Sequence, residues 1–407
     1  MLHRSLLLRA ATLLLAALAL AQCAPLAGEP PRTIRFGATI SITGPTAKEG
    51  EHARDGYLLA IEAINALGGI RVGGRSYLAE LRYYDDESRP ERATELYEKL
   101  IAVDRVDFLL GPYGSGPTAA AAAVAERHSI PLVEGNGSAD SIFAQGYRHT
   151  FGIMTPASGY LRGMVDLALA ADPPLRTLAI LHADDIFSRA TAEGAAAYAQ
   201  RRGMRVVAQA QYPADSQDVA AQLAAAQAAR PDLLLGATHL QDALLIVRQA
   251  QALGFAPRAM GFSVGPASPA FRKTLGGGAD YVLGSAQWTP ALAYQGDDPW
   301  GSAARFDAAF RQRFPDSAST PYTAACSAAS LVAYQRAIEL AGSLDPAMVR
   351  DQLQQLAIDT FFGPIRFDAS GLNRSRTMAV EQLLPDGSAA TVYPLEMADH
   401  AAIFPAP

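Results

Sequence analysis

The sequence predicts an α/β protein of two lobes, each with a parallel central sheet flanked by helices. Three observations carry this reading. Strand and helix patterns alternate along almost the whole chain. The 407 residues exceed what one hydrophobic core usually organises. The alternation pauses once, around Thr150–Tyr160, before it restarts. Alternation implies parallel strands because each helix supplies the crossover that parallel neighbours need. Two such lobes leave a cleft between them, and ligands of such sheets bind at the carboxyl ends of the strands.

The first lobe begins with a strand over Ile34–Ile42 and a helix from about Glu51 to Leu67, whose Ala53, Tyr57, Ile61 and Ile64 share one face. Gly68-Gly69 stops that helix. A strand at Leu78–Asp85, a helix at Arg92–Val103, a strand at Val106–Leu110, a helix at Pro117–His128 and a strand at Pro131–Glu134 follow. The run Ala119–Ala123 reads as a tightly packed helix, since alanine is the strongest helix former and lets a helix lie close to a sheet.

The second lobe restarts with a strand at Thr177–His182, a helix near Arg189–Arg202 and a strand at Arg205–Gln211. It continues through a helix at Val219–Ala229, a strand at Leu233–Ala237, a helix at Ala243–Leu253, and strands at Ala259–Ser263 and Tyr281–Trp288. A looser segment, Pro290–Gly301, leads to a helix at Ser302–Phe314 and a long helix from Thr323 to about Ala341.

The leader indicates where the protein works. Arg4 and Arg9 flank the start of an apolar run, Ala10–Ala21, that ends in small residues and is too short to span a bilayer. We read residues 1–21 as an export signal, with Cys23 as a candidate lipidation site in Leu20-Ala21-Gln22-Cys23, although Gln22 departs from the usual lipoprotein pattern. The mature chain is then expected in the periplasm, free or anchored through Cys23. Cys326 has no obvious partner, so the fold must rest on a buried core rather than a disulfide framework. Removing the signal takes two arginines, leaving 32 basic against 40 acidic residues where the full chain has 34 and 40, a formal charge of −8 instead of −6. That balance excludes nucleic acid as a partner. With half the residues hydrophobic, disorder is confined to the ends.

The Gly111–Thr118 turn is the clearest chemical feature. It lies between a buried-looking strand and a helix, so unpaired helix N–H groups face whatever sits there. Its glycines admit a ligand to the main chain, and the hydroxyls of Ser115 and Thr118 can add donors, which together suit a carboxylate. The spacing Gly114-x-Gly116-x-x-Ala119, with Glu134 about twenty residues on, also fits a dinucleotide fingerprint. Export and its place on the third strand oppose that reading.

Gly261-Phe262-Ser263-Val264-Gly265 formally matches a hydrolase nucleophile elbow, with His400 later in the chain. Pro266 and Pro269 stand where the required helix should start, so Ser263 reads better as a polar residue at a strand end lining the cleft. The histidines are scattered without ligand spacing, and no metal site or other cofactor is implied. Asp184-Asp185 could act as a carboxylate base pair but reads better as a solvated turn or lobe contact.

The ordered set Gly37–Pro45, Ala63–Ile70, Tyr84–Ser88, Leu110–Ser115, Val247–Ala250 before Gly254-Phe255, and Phe362–Asp368 with Gly371 resembles the leucine/isoleucine/valine-binding-protein family. These are periplasmic substrate-binding components of branched-chain amino-acid-type ABC transporters, with the type I periplasmic binding fold. The resemblance covers nearly the whole mature chain. It implies two Rossmann-like lobes that close on a ligand about a multi-crossover hinge, one of residues 32–155 plus 290–368 and the other of 156–289 plus 369–405. It also implies a monomer that presents its closed form to ABC permease subunits in the membrane, or a ligand-sensing receptor of a signalling system built on the same fold.

By this likeness the ligand's carboxylate sits on Ser115 and on Asn136, Gly137 and Ser138, while Phe187 and His239 take the places of second-lobe aromatics. The acid that should hold an amine falls at Ser263, which carries no charge. Glu49, Glu134 or Asp184 must then replace it, or the ligand has no amine, because a buried unpaired ammonium costs several kcal/mol. Tyr113, Phe187, Tyr322 and Trp288 could form an aromatic wall. The expected ligand is a branched-chain or other hydrophobic amino acid, or an aromatic or short-chain carboxylate, and after these an amide or urea.

Overall fold

The structure is a computed structural model that describes residues 32–317 and 319–405. The signal segment 1–21 and Cys23 lie outside the described residues.

The first sheet is built from β1 (Arg32–Ile40), helix α1 (Ala47–Ala66), the hairpin β2 (Ile70–Val72) and β3 (Arg75–Asp85), α2 (Pro90–Ala102), β4 (Phe108–Leu110), α3 (Ser115–His128), β5 (Leu132–Glu134), α4 (Asp140–Phe143) and β6 (Thr150–Gly152). Its six strands run in the order β2-β3-β1-β4-β5-β6, parallel except for β2. The chain then enters α5 (Arg162–Ala170), β7 (Thr177–Ala183), α6 (Ile186–Arg201), β8 (Arg205–Tyr212), α7 (Ala220–Ala228), β9 (Leu233–Ala237), α8 (Leu240–Ala252), β10 (Ala259–Phe262), α9 (Pro269–Leu275) and β11 (Leu283–Ala286). Next come α10 (Ala303–Arg313), α11 (Tyr322–Ala341), α12 (Pro346–Gln354), the hairpin β12 (Ala357–Thr360) and β13 (Gly363–Arg366), and finally β14 (Ala379–Leu383) and β15 (Ala389–Tyr393).

The second sheet has seven strands in the order β15-β14-β11-β10-β9-β7-β8. Its central strands are parallel, as alternation predicts, but β14 pairs antiparallel with β11, and β15 pairs antiparallel with β14. The sheet is therefore mixed, a departure from the expected parallel form. β14 and β15 are each only five residues long and are joined by a tight turn at Gly387, so neither is long enough to show a period from which pairing could be read.

The expected α1 face is buried, with Ala53, Tyr57 and Ile64 fully inaccessible. Helix α11 crosses α1 so closely that a Cβ on Gly56 would lie 2.1 Å from the Ala324 carbonyl oxygen. This contact sets the start of α11, and hence Tyr322, beside the cleft. The alanine run packs as expected, Ala121 and Ala122 being fully buried against α2 and its neighbours.

Three crossings join the two sheets, and side chains tie them together. The Gln287 amide holds both backbone groups of Thr155: the Thr155 N–H donates to Oε1 at 3.0 Å, and Nε2 donates to the Thr155 carbonyl at 3.1 Å. The Gln287 carbonyl in turn accepts from the Arg376 guanidinium, and Asn373 Nδ2 donates to the Ile153 carbonyl at 3.1 Å. Gln287 thus bonds one crossing to each of the other two.

Candidate functional site

The carboxyl ends of both sheets face one another across a cleft that divides into two connected chambers. The inner one encloses about 10 Å³ and is lined by Tyr113, Ser115, Asn136, Ser138, Phe187, His239 and Tyr322, together with Met154, Tyr160 and Val264. The outer one holds about 600 Å³ and shares Tyr113, Gly114, Ser115 and His239 with the first. The inner space is at the lower limit for a single water, so the side chains of its two walls nearly fill it.

The first-sheet wall follows from the Gly111–Thr118 turn. Gly114 adopts φ +89°, a left-handed conformation that glycine reaches without strain, and α3 then begins at Ser115 with no side-chain cap and no acid in its first turn. Ser115 is 3% exposed, and its Oγ accepts the Ala139 N–H at 3.0 Å, which leaves its own hydroxyl hydrogen to donate. Thr118 does not add a donor to the pocket as expected, because its hydroxyl donates to the Gly114 carbonyl at 2.8 Å.

The next loop is more heavily committed than its sequence suggests. Asn136 and Gly137 donate their backbone N–H groups to Glu134 Oε2 at 2.9 and 2.6 Å, so those amides serve an internal carboxylate. Gly137 is required here, since a Cβ would lie 2.1 Å from Thr118 Oγ1. Burial pushes Glu134 up to about 8 against the pull of the two amides. Glu134 lines neither chamber, which removes it as the partner of a ligand amine. Asn136 Nδ2 donates to Ser327 Oγ at 2.8 Å, and Ser138 Oγ donates to the Tyr160 hydroxyl at 3.3 Å.

The opposite wall centres on His239, which precedes α8. Tyr113 Oη lies 3.4 Å from its Nδ1, Asp185 Oδ1 lies 3.8 Å from its Nε2, and the Phe187 ring centroid is 5.2 Å away. Burial works against its charge, but the Asp185 carboxylate, with Asp242 and Glu49 nearby, raises its pKa to about 9. The side chain is an imidazolium at neutral pH. Burial likewise works against the Asp185 carboxylate, yet His239 and the Ser188 donors hold it well below the usual range. Asp185 also caps α6, accepting from the N–H groups of Phe187 and Ser188 at 2.9 Å each.

Of the three acids proposed to replace the missing amine partner, Glu49 alone lines the cleft. Burial raises its pKa, while its own backbone amide, the His239 charge and the Leu240 amide act in the opposite direction. Asp184 is exposed and pairs with Arg189; its neighbour Asp185 lines the chamber instead. Ser263 is fully buried and lines neither chamber: its Oγ accepts the Thr238 N–H at 2.8 Å and donates to the Thr238 carbonyl at 3.0 Å. Both bonds of this hydroxyl go to the Thr238 backbone, and the helix after it starts only at Pro269, so the geometry of a nucleophile elbow is not formed here. Trp288 is also absent from the wall. It packs edge-on to Phe306 and Phe361 and donates to the Phe361 carbonyl at 3.1 Å.

Sequence reasoning missed Tyr160 and Met154. Both fall in the aperiodic crossing stretch, where no pattern distinguishes a cleft residue from a packed one. Among the described residues no group of three or more His, Cys, Asp or Glu could hold a metal, and no helix is long and apolar enough to cross a membrane.

Residues 33–388 match the family model described as periplasmic binding protein. The Leu/Ile/Val-binding protein homolog 8 of Brucella abortus (strain 2308) is 26% identical over 264 residues, 61% of this chain and 64% of the relative, so the match spans just under two thirds of that relative's length. Among solved structures, a leucine binding protein LivK from Thermotoga maritima MSB8 superposes with a TM-score of 0.77 at 18% identity, covering 88% of this chain and 97% of that one. An ABC transporter solute binding protein from R. palustris, in complex with benzoate, gives 0.74 at 20% identity, with 88% and 95% covered. The structural likenesses establish the fold, two α/β lobes of the type I kind. With a family model matched from the first described strand almost to the last, the chain belongs to the periplasmic binding protein family.

Proposed function

We propose that the protein is the extracytoplasmic solute-binding component of an ABC transporter, holding a small organic carboxylate between its lobes and presenting the closed form to the permease. The observation that carries this is the inner chamber. There Ser115, at the uncapped start of α3, faces second-sheet Phe187 and His239 across a narrow space between the two walls. A helix N-terminus and an imidazolium on opposite walls suit one carboxylate shared by both lobes, which couples binding to closure.

Leucine, isoleucine and valine in the names of relatives, and benzoate in a structural neighbour, are all ligands or parts of ligand names that fit a carboxylate on an apolar body. The lobes are taken as 32–155 with 290–368 and 156–289 with 369–405, a division supported by β14 and β15 lying in the second sheet. The working unit is taken as a monomer.

The test is thermal shift of the purified mature chain against amino acids and aromatic and aliphatic acids. Saturable stabilisation by carboxylates without turnover is expected. Stabilisation by none of them, or ester hydrolysis lost in Ser263→Ala, would refute the reading.

A further inference from the structure

The inner chamber accounts for one end of a ligand, and the outer chamber remains unassigned. At about 600 Å³ it lies inside the range of about 300–1,000 Å³ that holds drug-sized molecules, well beyond the needs of a free amino acid. Its lining is mixed: Pro45, Pro90 and Pro117 on the first-sheet side and Leu244 and Leu245 on the other give it apolar surface, between polar groups that include Gln241, Asp215 and the exposed Arg248.

Along α8, Gln241, Leu244, Leu245 and Arg248 face this space at helical spacing, a stripe that leads away from His239. Arg248 stands nine positions after His239, about 13.5 Å along the axis at ~1.5 Å per residue. Arg248 makes no hydrogen bond or ion pair among the described residues. The acids near His239 are engaged: Asp185 with His239 and the α6 amides, Asp242 with the His239 N–H at 3.2 Å, and Glu49 in the field of His239 and the Leu240 amide. Asp215 is the one other acid on the chamber wall, and its carboxylate makes no hydrogen bond or ion pair among the described residues.

We propose that the outer chamber is a second ligand subsite, so that the preferred ligand is an elongated carboxylate: one carboxylate at Ser115 and His239, an apolar body along Leu244 and Leu245, and a second carboxylate at Arg248. This rests on the solute-binding reading above and names its substrate class. Arg248 is then a specificity residue that reads the far end, and Asp215 opposes it.

The experiment is calorimetric titration of the full mature chain with two ligands of equal length, decanoate and sebacate, alongside leucine and benzoate. Sebacate is expected to bind at least tenfold more tightly than decanoate. Arg248→Gln should abolish that preference by weakening sebacate at least tenfold more than decanoate, and Asp215→Asn should strengthen sebacate binding several-fold. Equal affinities for sebacate and decanoate, or an equal loss for both in Arg248→Gln, would overturn the subsite. Binding of leucine or benzoate without sebacate would overturn it while the solute-binding reading stands. If none of the four binds, that reading fails and the subsite with it.

Discussion

Replacing Ser115 with alanine separates what the hydroxyl does for the ligand from what it does for the fold. Ser115 Oγ accepts the Ala139 N–H at 3.0 Å, and the side chain is 3% exposed. Ser115→Ala therefore leaves a buried backbone donor without a partner, at a cost of about 1–3 kcal/mol in unfolding free energy. A ligand carboxylate would lose in addition a donor hydrogen bond to a charged group, worth roughly 1–3 kcal/mol in this water-poor pocket, or about 5- to 150-fold in Kd. Denaturant unfolding without ligand reads the first quantity, and titration calorimetry with a carboxylate identified by thermal shift reads the second. An amide analogue of the same ligand should be much less affected than the acid. An unchanged Kd for the acid would remove the carboxylate from this turn, whatever the loss in stability.

Other outcomes follow from the geometry. His239 rises from 6.5 to about 9, so its stabilising charge is fully present below pH 6.5 and lost as the pH rises through about 9; Glu134 rises from 4.5 to about 8, so its favoured neutral form is lost over a lower window. Stability should therefore fall as the pH rises from about 4.5 to about 9, less steeply below about 8 in Glu134→Gln and between about 6.5 and 9 in His239→Gln, as checked by melting temperature against pH; identical slopes in all three proteins would contradict the assignments. Gln287→Ala removes both hydrogen bonds to Thr155 at the hinge, together with the Gln287 contact to the Tyr160 hydroxyl, and should alter ligand affinity several-fold through the open–closed balance. Small-angle scattering of the unliganded form should show the shift, and unchanged scattering and affinity would deny Gln287 that role. Ser263→Ala should lower stability by about 1–3 kcal/mol by unpairing the Thr238 N–H, with ligand affinity intact; a loss of binding with stability unchanged would return Ser263 to the site.

The central strands were legible because apolar runs such as Leu233–Ala237 end in turn chemistry and are separated by helices. The β14–β15 edge was not, since two five-residue strands carry too few residues for a period. Ser115 could be placed because a glycine turn between strand and helix has one geometry. The commitment of Gly137 could not, because its amide is taken by Glu134, and nothing in the spacing shows that the carboxylate folds back on its own loop. Asp184 and Asp185 differ only in the direction each side chain leaves the strand end: one meets Arg189 in solvent, the other caps α6 and meets His239. Ser263 was assigned to the cleft by position, but its hydroxyl turns toward Thr238 because a buried strand end needs both of its bonds.

The most direct test of the whole account is a crystal structure of the mature protein with a carboxylate that stabilises it. The account predicts the ligand between the two sheets, with a carboxylate oxygen within hydrogen-bond distance of Ser115 Oγ and the opposite wall formed by Phe187 and His239. A ligand bound outside the cleft, or one in the cleft whose carboxylate avoids Ser115, would contradict it.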